Sequence, residues 1–177
     1  MPKRYEELNY AHYLTFSCYK RYRLFTNEDL CNLFVNHLDR ARDRRKFDLW
    51  AFVIMPTHVH LLIRPSVDDS ISKILISLKK SFSYEALPRI KDNNPEHFAR
   101  LSISERGHKV RRFWQVGGGY DSNIFTANIL KRKIDYMHMN PVKKGLVNEP
   151  VEWQWSSARF WIQNICDPLS LDDIEIF

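Results

Sequence analysis

Two histidines separated by one residue, His58 and His60, are the clearest metal-binding pair in the sequence. They lie in residues 58–64, an apolar segment that follows Met55-Pro56-Thr57 and is typical of the second strand of a β-hairpin. Because alternate residues of a strand share a face, both imidazoles would project side by side from a paired strand. Such a pair can chelate one divalent ion, but histidines at a surface or hydrogen-bonded in a core have the same spacing.

A second pair, Tyr136 and Asn140, lies in residues 127–140, which are predicted to form a helix that Pro141 ends. The i, i+4 spacing places a hydroxyl and an amide one turn apart on one side of the helix. Beside a metal held by two histidines, they would supply a nucleophile and a third ligand. The same spacing suits an interfacial aromatic residue and an amide that caps a helix end, so both interpretations stay open at this point.

The elements that must position these residues follow from hydrophobic periodicity. Helical patterns predict a first helix capped by Thr26, a second helix from Ile71, and a third helix that docks on the body through Leu130, Ile134 and Met137. Aromatic and apolar runs predict strands at residues 10–19, 47–54 and 58–64, and strand segments at 111–116 and 120–125 around glycines 117–119.

Residues 88–110 are polar and contain Pro88, Pro95 and Gly107, so a long surface loop is expected there. The remaining order is strand, helix, strand, strand, helix, strand, helix. It predicts an α+β fold, with a ferredoxin-like split βαβ antiparallel sheet, two helices on one face, and an added C-terminal helix that carries Tyr136.

The composition predicts a single domain over residues 1–177, in which residues 148–177 form a Trp-containing and then acidic tail. The chain has 27 Lys and Arg against 21 Asp and Glu, and 26 of the basic residues precede Asn148. This surplus suggests a polyanionic partner. No apolar stretch of membrane-spanning length and no N-terminal apolar segment is present, so a cytoplasmic location is expected.

Two segments together resemble the Y1 HUH transposases: Met55-Pro-Thr-His-Val-His-Leu-Leu-Ile63, and Ile134 to Val147 with Tyr136-Met-His-Met-Asn140 inside it. The sequence is most similar to the REP-associated tyrosine transposases, relatives of the IS200/IS605 enzymes. This resemblance runs from about residue 10 to the Trp motif near residue 157. It implies that His58 and His60 are the metal-binding histidines, that Tyr136 is the catalytic tyrosine, and that Asn140 is the third ligand.

Two further segments, Phe113-Trp114-Gln115 and Trp153 to Ser157, match family segments of less certain role. The sequence departs from the family at Gln154, where proline is common, and in the run of three glycines at 117–119. Neither departure touches the histidines or Tyr136, but both bear on the local path of the DNA.

The resemblance implies a metal-dependent transesterase that uses Mg²⁺ or Mn²⁺ to cleave and rejoin single-stranded DNA near REP-like hairpins through a 5′-phosphotyrosine intermediate. It also implies a nucleoid-associated enzyme, for which a monomer is favoured over a homodimer. Two alternatives are a non-catalytic single-strand-binding module and a metal-dependent phosphodiesterase that uses water, with Tyr136 structural. The candidate DNA contacts are expected to cluster around the proposed site: Lys79, Lys80, Arg111, Arg112, Trp114, Lys131 and Lys133.

Overall fold

The computed structural model describes residues 10–105, 107–117 and 119–174. Its strands are β1 (Ala11–Ser17), β2 (Asp48–Met55), β3 (His58–Arg64), β4 (Ser102–Glu105), β5 (His108–Arg111) and β6 (Tyr120–Ile124). Its α-helices are α1 (Glu28–Arg45), α2 (Ile71–Asn93), α3 (Pro95–Arg100), α4 (Ala127–His138), α5 (Asn140–Lys143) and α6 (Ala158–Gln163).

The main sheet is antiparallel and has the strand order β2-β3-β1-β6. With α1 between β1 and β2 and α2 between β3 and β6, this is the split βαβ arrangement of ferredoxin-like folds. The predicted fold class is therefore confirmed. The sheet places β3, which carries both histidines, between two hydrogen-bonded neighbours.

Strand alternation divides the core between the two faces of the sheet. Val59, Leu61 and Ile63 of β3 are fully buried with residues of α1 and α2. Leu62 lies on the opposite face and packs in a second cluster, which includes Ile134 of α4. His58 and His60 share the face of Leu62, so the histidines and α4 lie on the same side of the sheet.

Helix α4 docks as its pattern predicted, with Leu130, Ile134 and Met137 buried against the sheet. The Thr126 side chain accepts a hydrogen bond from the Ile129 amide at 3.3 Å and caps the start of the helix. Pro141 does more than end this helix. It lies in the first turn of α5, where its missing N–H group costs no hydrogen bond.

The prediction of a long surface loop at residues 88–110 is wrong. Helix α2 continues through Pro88 to Asn93, α3 follows, and β4 and β5 form a small hairpin. A proline inside a helix costs about 3 kcal/mol. Here Ala86 and Ile90, on either side of Pro88, are buried in the core, and that burial offsets the cost.

The prediction that Thr26 caps the first helix is also wrong. The Asn27 side chain accepts the Leu30 amide at 3.1 Å and begins α1, whereas the Thr26 hydroxyl donates to the Arg23 carbonyl. Both residue types are good caps, and the turn at residues 24–26 selects the second.

The C-terminal segment runs along the β2 edge of the sheet. The Ser157 amide donates to the Phe52 carbonyl at 3.0 Å, and the Asp172 carboxylate accepts from the Leu49 amide at 2.7 Å. Asp172 also lies 3.6 Å from Arg42 of α1. Asp172, one of the acidic residues of this tail, therefore faces α1 at the outer edge of the sheet.

Within the described ranges, no helix combines the length and apolar character that a bilayer crossing requires.

Candidate active site

The two imidazoles of β3 face each other on the α4 side of the sheet. His58 pairs with Ser17 and His60 with Thr15 across β1, so both are fixed by the sheet register. Their Nε2 atoms are 3.0 Å apart. Two ligands that each lie about 2.1 Å from one ion, at a right angle, are separated by about 3.0 Å. The spacing of the pair therefore fits two adjacent positions on a single metal ion.

Hydroxyl groups hold the other nitrogen of each ring. The Thr57 hydroxyl lies 2.9 Å from His58 Nδ1. His60 Nδ1 lies 2.8 Å from the Tyr13 hydroxyl and 2.9 Å from the Thr15 hydroxyl. When each Nδ1 carries the proton and donates to its hydroxyl, both Nε2 lone pairs point at the same place.

Both histidines are held in their neutral form. Burial, together with the charges of Arg21 and Lys144, lowers the pKa of His58 to about 4. Burial and the neighbouring His58 lower the pKa of His60 to about 3. A neutral imidazole has the free lone pair that a metal needs, so ligation near pH 7 displaces no proton from Nε2.

The histidines open into a cavity of about 330 Å³ between the sheet and α4. Among the described residues, none of those that line it is a carboxylate, and Arg21 and Lys133 contribute positive charge. Lys133 Nζ lies 4.6 Å from the centre of the Tyr13 ring. The cavity therefore favours an anion beside the histidines.

Three tyrosines line this cavity: Tyr13, Tyr120 and Tyr136. Tyr13 is 3% exposed, and burial raises its pKa to about 12. Tyr136 is 47% exposed, and its ring packs edge-on to His60 with the ring centres 6.2 Å apart. Tyr120 is 48% exposed and contacts Tyr13. Tyr136 is thus an accessible phenol whose ring packs against His60.

Asn140 is buried at the start of α5, and its Nδ2 donates to the Tyr136 carbonyl at 2.8 Å. The predicted helix-end cap is therefore present. Asn140 does not line the cavity among the residues described. Its amide nitrogen is occupied, so Oδ1 is the atom that remains for a cation.

His58 and His60 are candidate nitrogen ligands for a divalent ion, and the ligand role of Asn140 stays a prediction of the family resemblance. In the part of the chain that the structure describes, no group of three or more His, Cys, Asp or Glu side chains could hold a metal. A third protein ligand would then be of another type, such as this amide. Mixed nitrogen and oxygen ligands suit Mn²⁺ well and accept Mg²⁺.

Of the predicted basic DNA contacts, Lys133 lines the cavity. Lys79 is on the α1 and α2 side of the sheet, 4.4 Å from the Phe16 ring centre, and Lys80 is exposed on the same helix. The other predicted cations are engaged elsewhere: Arg111 stacks on Phe98, Arg112 pairs with Glu105, and Lys131 pairs with Asp135. Any DNA contacts by Lys79, Lys80, Arg111, Arg112 or Lys131 would therefore lie outside this cavity.

Three cations near the site, Arg21, Lys143 and Lys144, were not predicted from the sequence. Arg21 lines the cavity from a backbone φ of +54° just after β1. Lys143 Nζ lies 5.4 Å from the centre of the Tyr136 ring. Lys143 belongs to the Ile134 to Val147 segment and is brought back toward Tyr136 by α5. A basic residue about two turns past a candidate nucleophile was the available signal for it.

Trp114, one of the candidate DNA contacts, is largely enclosed by the protein. Its side chain is 8% exposed and packs in a cluster of aromatic rings, and its Nε1 donates to the Lys79 carbonyl at 3.3 Å. The cluster comprises Phe16, Phe25, Phe34, Phe82 and Phe113. Trp114 therefore belongs to the core under the α1 and α2 face.

We expect Trp114→Ala to reduce the free energy of unfolding by about 3–5 kcal/mol, because it empties a packed aromatic site. Trp161→Ala is the matched control, because Trp161 is 38% exposed and its loss should cost much less. Chemical denaturation of both variants measures the difference. A stable Trp114→Ala protein that had lost affinity for single-stranded DNA would contradict the core assignment.

Comparison with known proteins assigns a family. The family model "Transposase IS200 like" matches residues 6–116, which include both histidines. A Haemophilus influenzae protein assigned as a REP-associated tyrosine transposase is 29% identical over 130 residues, 73% of this chain and 69% of its own. The REP-associated tyrosine transposase of Escherichia coli K12 is 24% identical over 119 residues, 67% of this chain and 58% of its own.

A solved structure of a REP-associated tyrosine transposase bound to a REP hairpin has the same fold. Its TM-score is 0.71 at 20% identity, and the match covers all of this chain and 94% of that one. The family match extends over more than half of the chain and includes the strand that carries the histidine pair. The chain therefore belongs to the family of IS200-like transposases.

Proposed function

We propose that this protein is a metal-dependent single-stranded DNA transesterase that cleaves and rejoins DNA near REP-like hairpins through a 5′-phosphotyrosine intermediate on Tyr136. The observation that carries the proposal is the pair of neutral imidazoles, whose Nε2 atoms are 3.0 Å apart. They lie beside an accessible phenol in a cavity that no carboxylate among the described residues lines. The hairpin substrate follows from the relatives, which include a transposase bound to a REP hairpin.

Tyr136 suits a nucleophile better than the two neighbouring phenols. The Tyr13 hydroxyl is buried and lies within hydrogen-bond distance of His60 and Thr15, so it positions the imidazole. Tyr136 is half exposed, and its ring packs edge-on to His60. Lys143 near its ring adds positive charge where a phosphate would approach.

In the proposed step, the Tyr136 oxygen attacks the phosphorus of a phosphodiester and the bond from phosphorus to the 3′ oxygen breaks. The phenol loses its proton, and the leaving 3′ oxygen gains one to become a 3′-OH. A divalent ion, when bound, supplies positive charge to the phosphate oxygens as negative charge develops there. The side chains of Lys133 and Arg21 attract the phosphate into the cavity, and the histidines remain neutral throughout.

Rejoining reverses the same step. A 3′-OH attacks the phosphotyrosine, and the bond from phosphorus to the tyrosine oxygen breaks. The number of phosphodiester linkages is conserved, so no nucleotide cofactor is needed. Residues 1–177 would act in the cytoplasm on nucleoid DNA as one domain and as a monomer.

A denaturing-gel assay tests this function. Protein, Mn²⁺ and an end-labelled hairpin with a single-stranded 5′ flank should give a protein–DNA band that survives denaturation. Chelator should abolish both this band and the cleavage product, and added Mn²⁺ or Mg²⁺ should restore them, because neutral imidazoles bind metal reversibly. Metal-dependent cleavage without the band would instead indicate a hydrolase. Binding without cleavage across single-stranded substrates would indicate a non-catalytic module.

A further inference from the structure

A second cavity, of about 220 Å³, adjoins the catalytic one at the end of β1. The two share the residues Thr15, Ser17, Arg21 and Tyr120, so a strand that lies in the first can extend into the second. The second cavity also contains Gln115, which belongs to the Phe113-Trp114-Gln115 segment and has no part in the proposed chemistry.

The wall of this second cavity is fixed by backbone contacts. The Gln115 amide donates to the Ser17 carbonyl at 2.9 Å, and the Lys20 amide donates to Gln115 Oε1 at 3.1 Å. Gly119 has φ +74°, and a Cβ atom there would overlap the Thr15 carbonyl oxygen. Gly119 therefore lies against β1 at a contact that requires glycine, and this part of the cavity wall is pre-formed.

The chemistry of the lining suits a base and the phosphate next to it. Tyr120 offers a half-exposed ring, and Gln115 retains its amide NH₂ group because only its oxygen is engaged. The Arg21 side chain makes no hydrogen bond or ion pair within residues 10–105, 107–117 and 119–174. None of the described lining residues is acidic.

The volume of the cavity indicates how many bases it can hold. Pockets for drug-sized ligands begin at about 300 Å³. A cavity of about 220 Å³ is smaller and lies directly against the catalytic cavity. A cavity of this volume would hold one planar ring system, and Arg21 in its lining would then lie beside the neighbouring phosphate.

We propose that this second cavity is a recognition subsite for the single nucleobase adjacent to the scissile phosphate, in which Tyr120 stacks on the base and Gln115 reads its edge. The inference rests on the proposed function for the position of the scissile phosphate. Arg21, shared by both cavities, holds the intervening phosphate.

Fluorescence of 2-aminopurine, which is quenched when the base stacks, tests the stacking without any cleavage. The full-length Tyr136→Phe variant is titrated with hairpin oligonucleotides that carry 2-aminopurine at one position of the single-stranded flank at a time. We expect binding to quench one flank position, and Tyr120→Ala in the same background to remove that quenching. Gln163→Ala, on exposed α6, is the control that should leave it unchanged.

The selectivity of cleavage among the four bases tests whether Gln115 recognises the edge of the base. Substrates with each of the four bases at the quenched position are compared in the otherwise wild-type chain, and Gln115→Ala should reduce the ratio between the best and worst by about tenfold. An equal loss of activity on all four would show that Gln115 only anchors the loop, and it would overturn the inference.

The two proposals fail in different ways. DNA binding with no position-specific quenching, or quenching that persists in Tyr120→Ala, overturns the subsite and leaves the covalent chemistry untouched. Quenching that depends on Tyr120 without any protein–DNA band in the wild-type protein overturns the transesterase and leaves the subsite in place.

Discussion

Replacing Tyr136 with phenylalanine should abolish both DNA cleavage and the covalent protein–DNA band. The change removes one oxygen atom, and no described residue on α4 can take its place against His60. Loss of a covalent nucleophile lowers the rate by at least on the order of 10³-fold. DNA affinity should stay within about threefold of wild type, because the ring and its packing are retained.

Tyr120→Phe is the matched control for this experiment, because Tyr120 lines the same cavity and is equally exposed. It should still form the covalent band. Steady-state cleavage and denaturing gels on both variants give the comparison. A Tyr136→Phe protein that kept the band would contradict the assignment of the nucleophile, and one that cleaved without it would favour a hydrolytic mechanism.

The second large effect is expected for the histidine pair. His58→Ala or His60→Ala should reduce metal-dependent cleavage by at least on the order of 10²-fold, because a metal held by one imidazole is bound weakly and is not oriented. DNA binding should be largely spared, since Arg21 and Lys133 remain in the cavity. Direct titration of Mn²⁺ into each variant measures the loss of metal affinity separately from the loss of cleavage.

His108→Ala controls for the removal of a histidine, because His108 is exposed on β5 and lines neither cavity. It should cleave at the wild-type rate. Full activity in His58→Ala or His60→Ala would be incompatible with the metal site. A variant that lost both Mn²⁺ binding and its folded structure would be distinguished by its circular dichroism spectrum.

The parts of the site that could be predicted are those fixed by local periodicity. Val59, Leu61 and Ile63 are fully buried on one face of β3, so His58 and His60 had to share the other. The same reasoning placed Tyr136 beside the buried stripe of α4. These positions depend on the period of one element and on the face that it buries.

The parts that could not be predicted depend on contacts between distant elements. Trp114 was a candidate DNA contact in the sequence, but the α2 helix and β1 enclose it among phenylalanines. His12 and Asp121 are 109 residues apart and pair at 2.8 Å in the interior. Arg21 reaches the cavity because its backbone is in the left-handed conformation, which an arginine in the sequence does not predict.

Tyr136 is proposed to become linked to the 5′ phosphate of the cleaved strand, and identifying the attachment site is the direct test of that linkage. The covalent complex formed with Mn²⁺ is digested with protease and nuclease, and the nucleotide-bearing peptide is sequenced by mass spectrometry. We expect a single modified residue, Tyr136, that carries a 5′-linked nucleotide. Attachment at Tyr13 or Tyr120, or cleaved DNA with no nucleotide-bearing peptide, would contradict it.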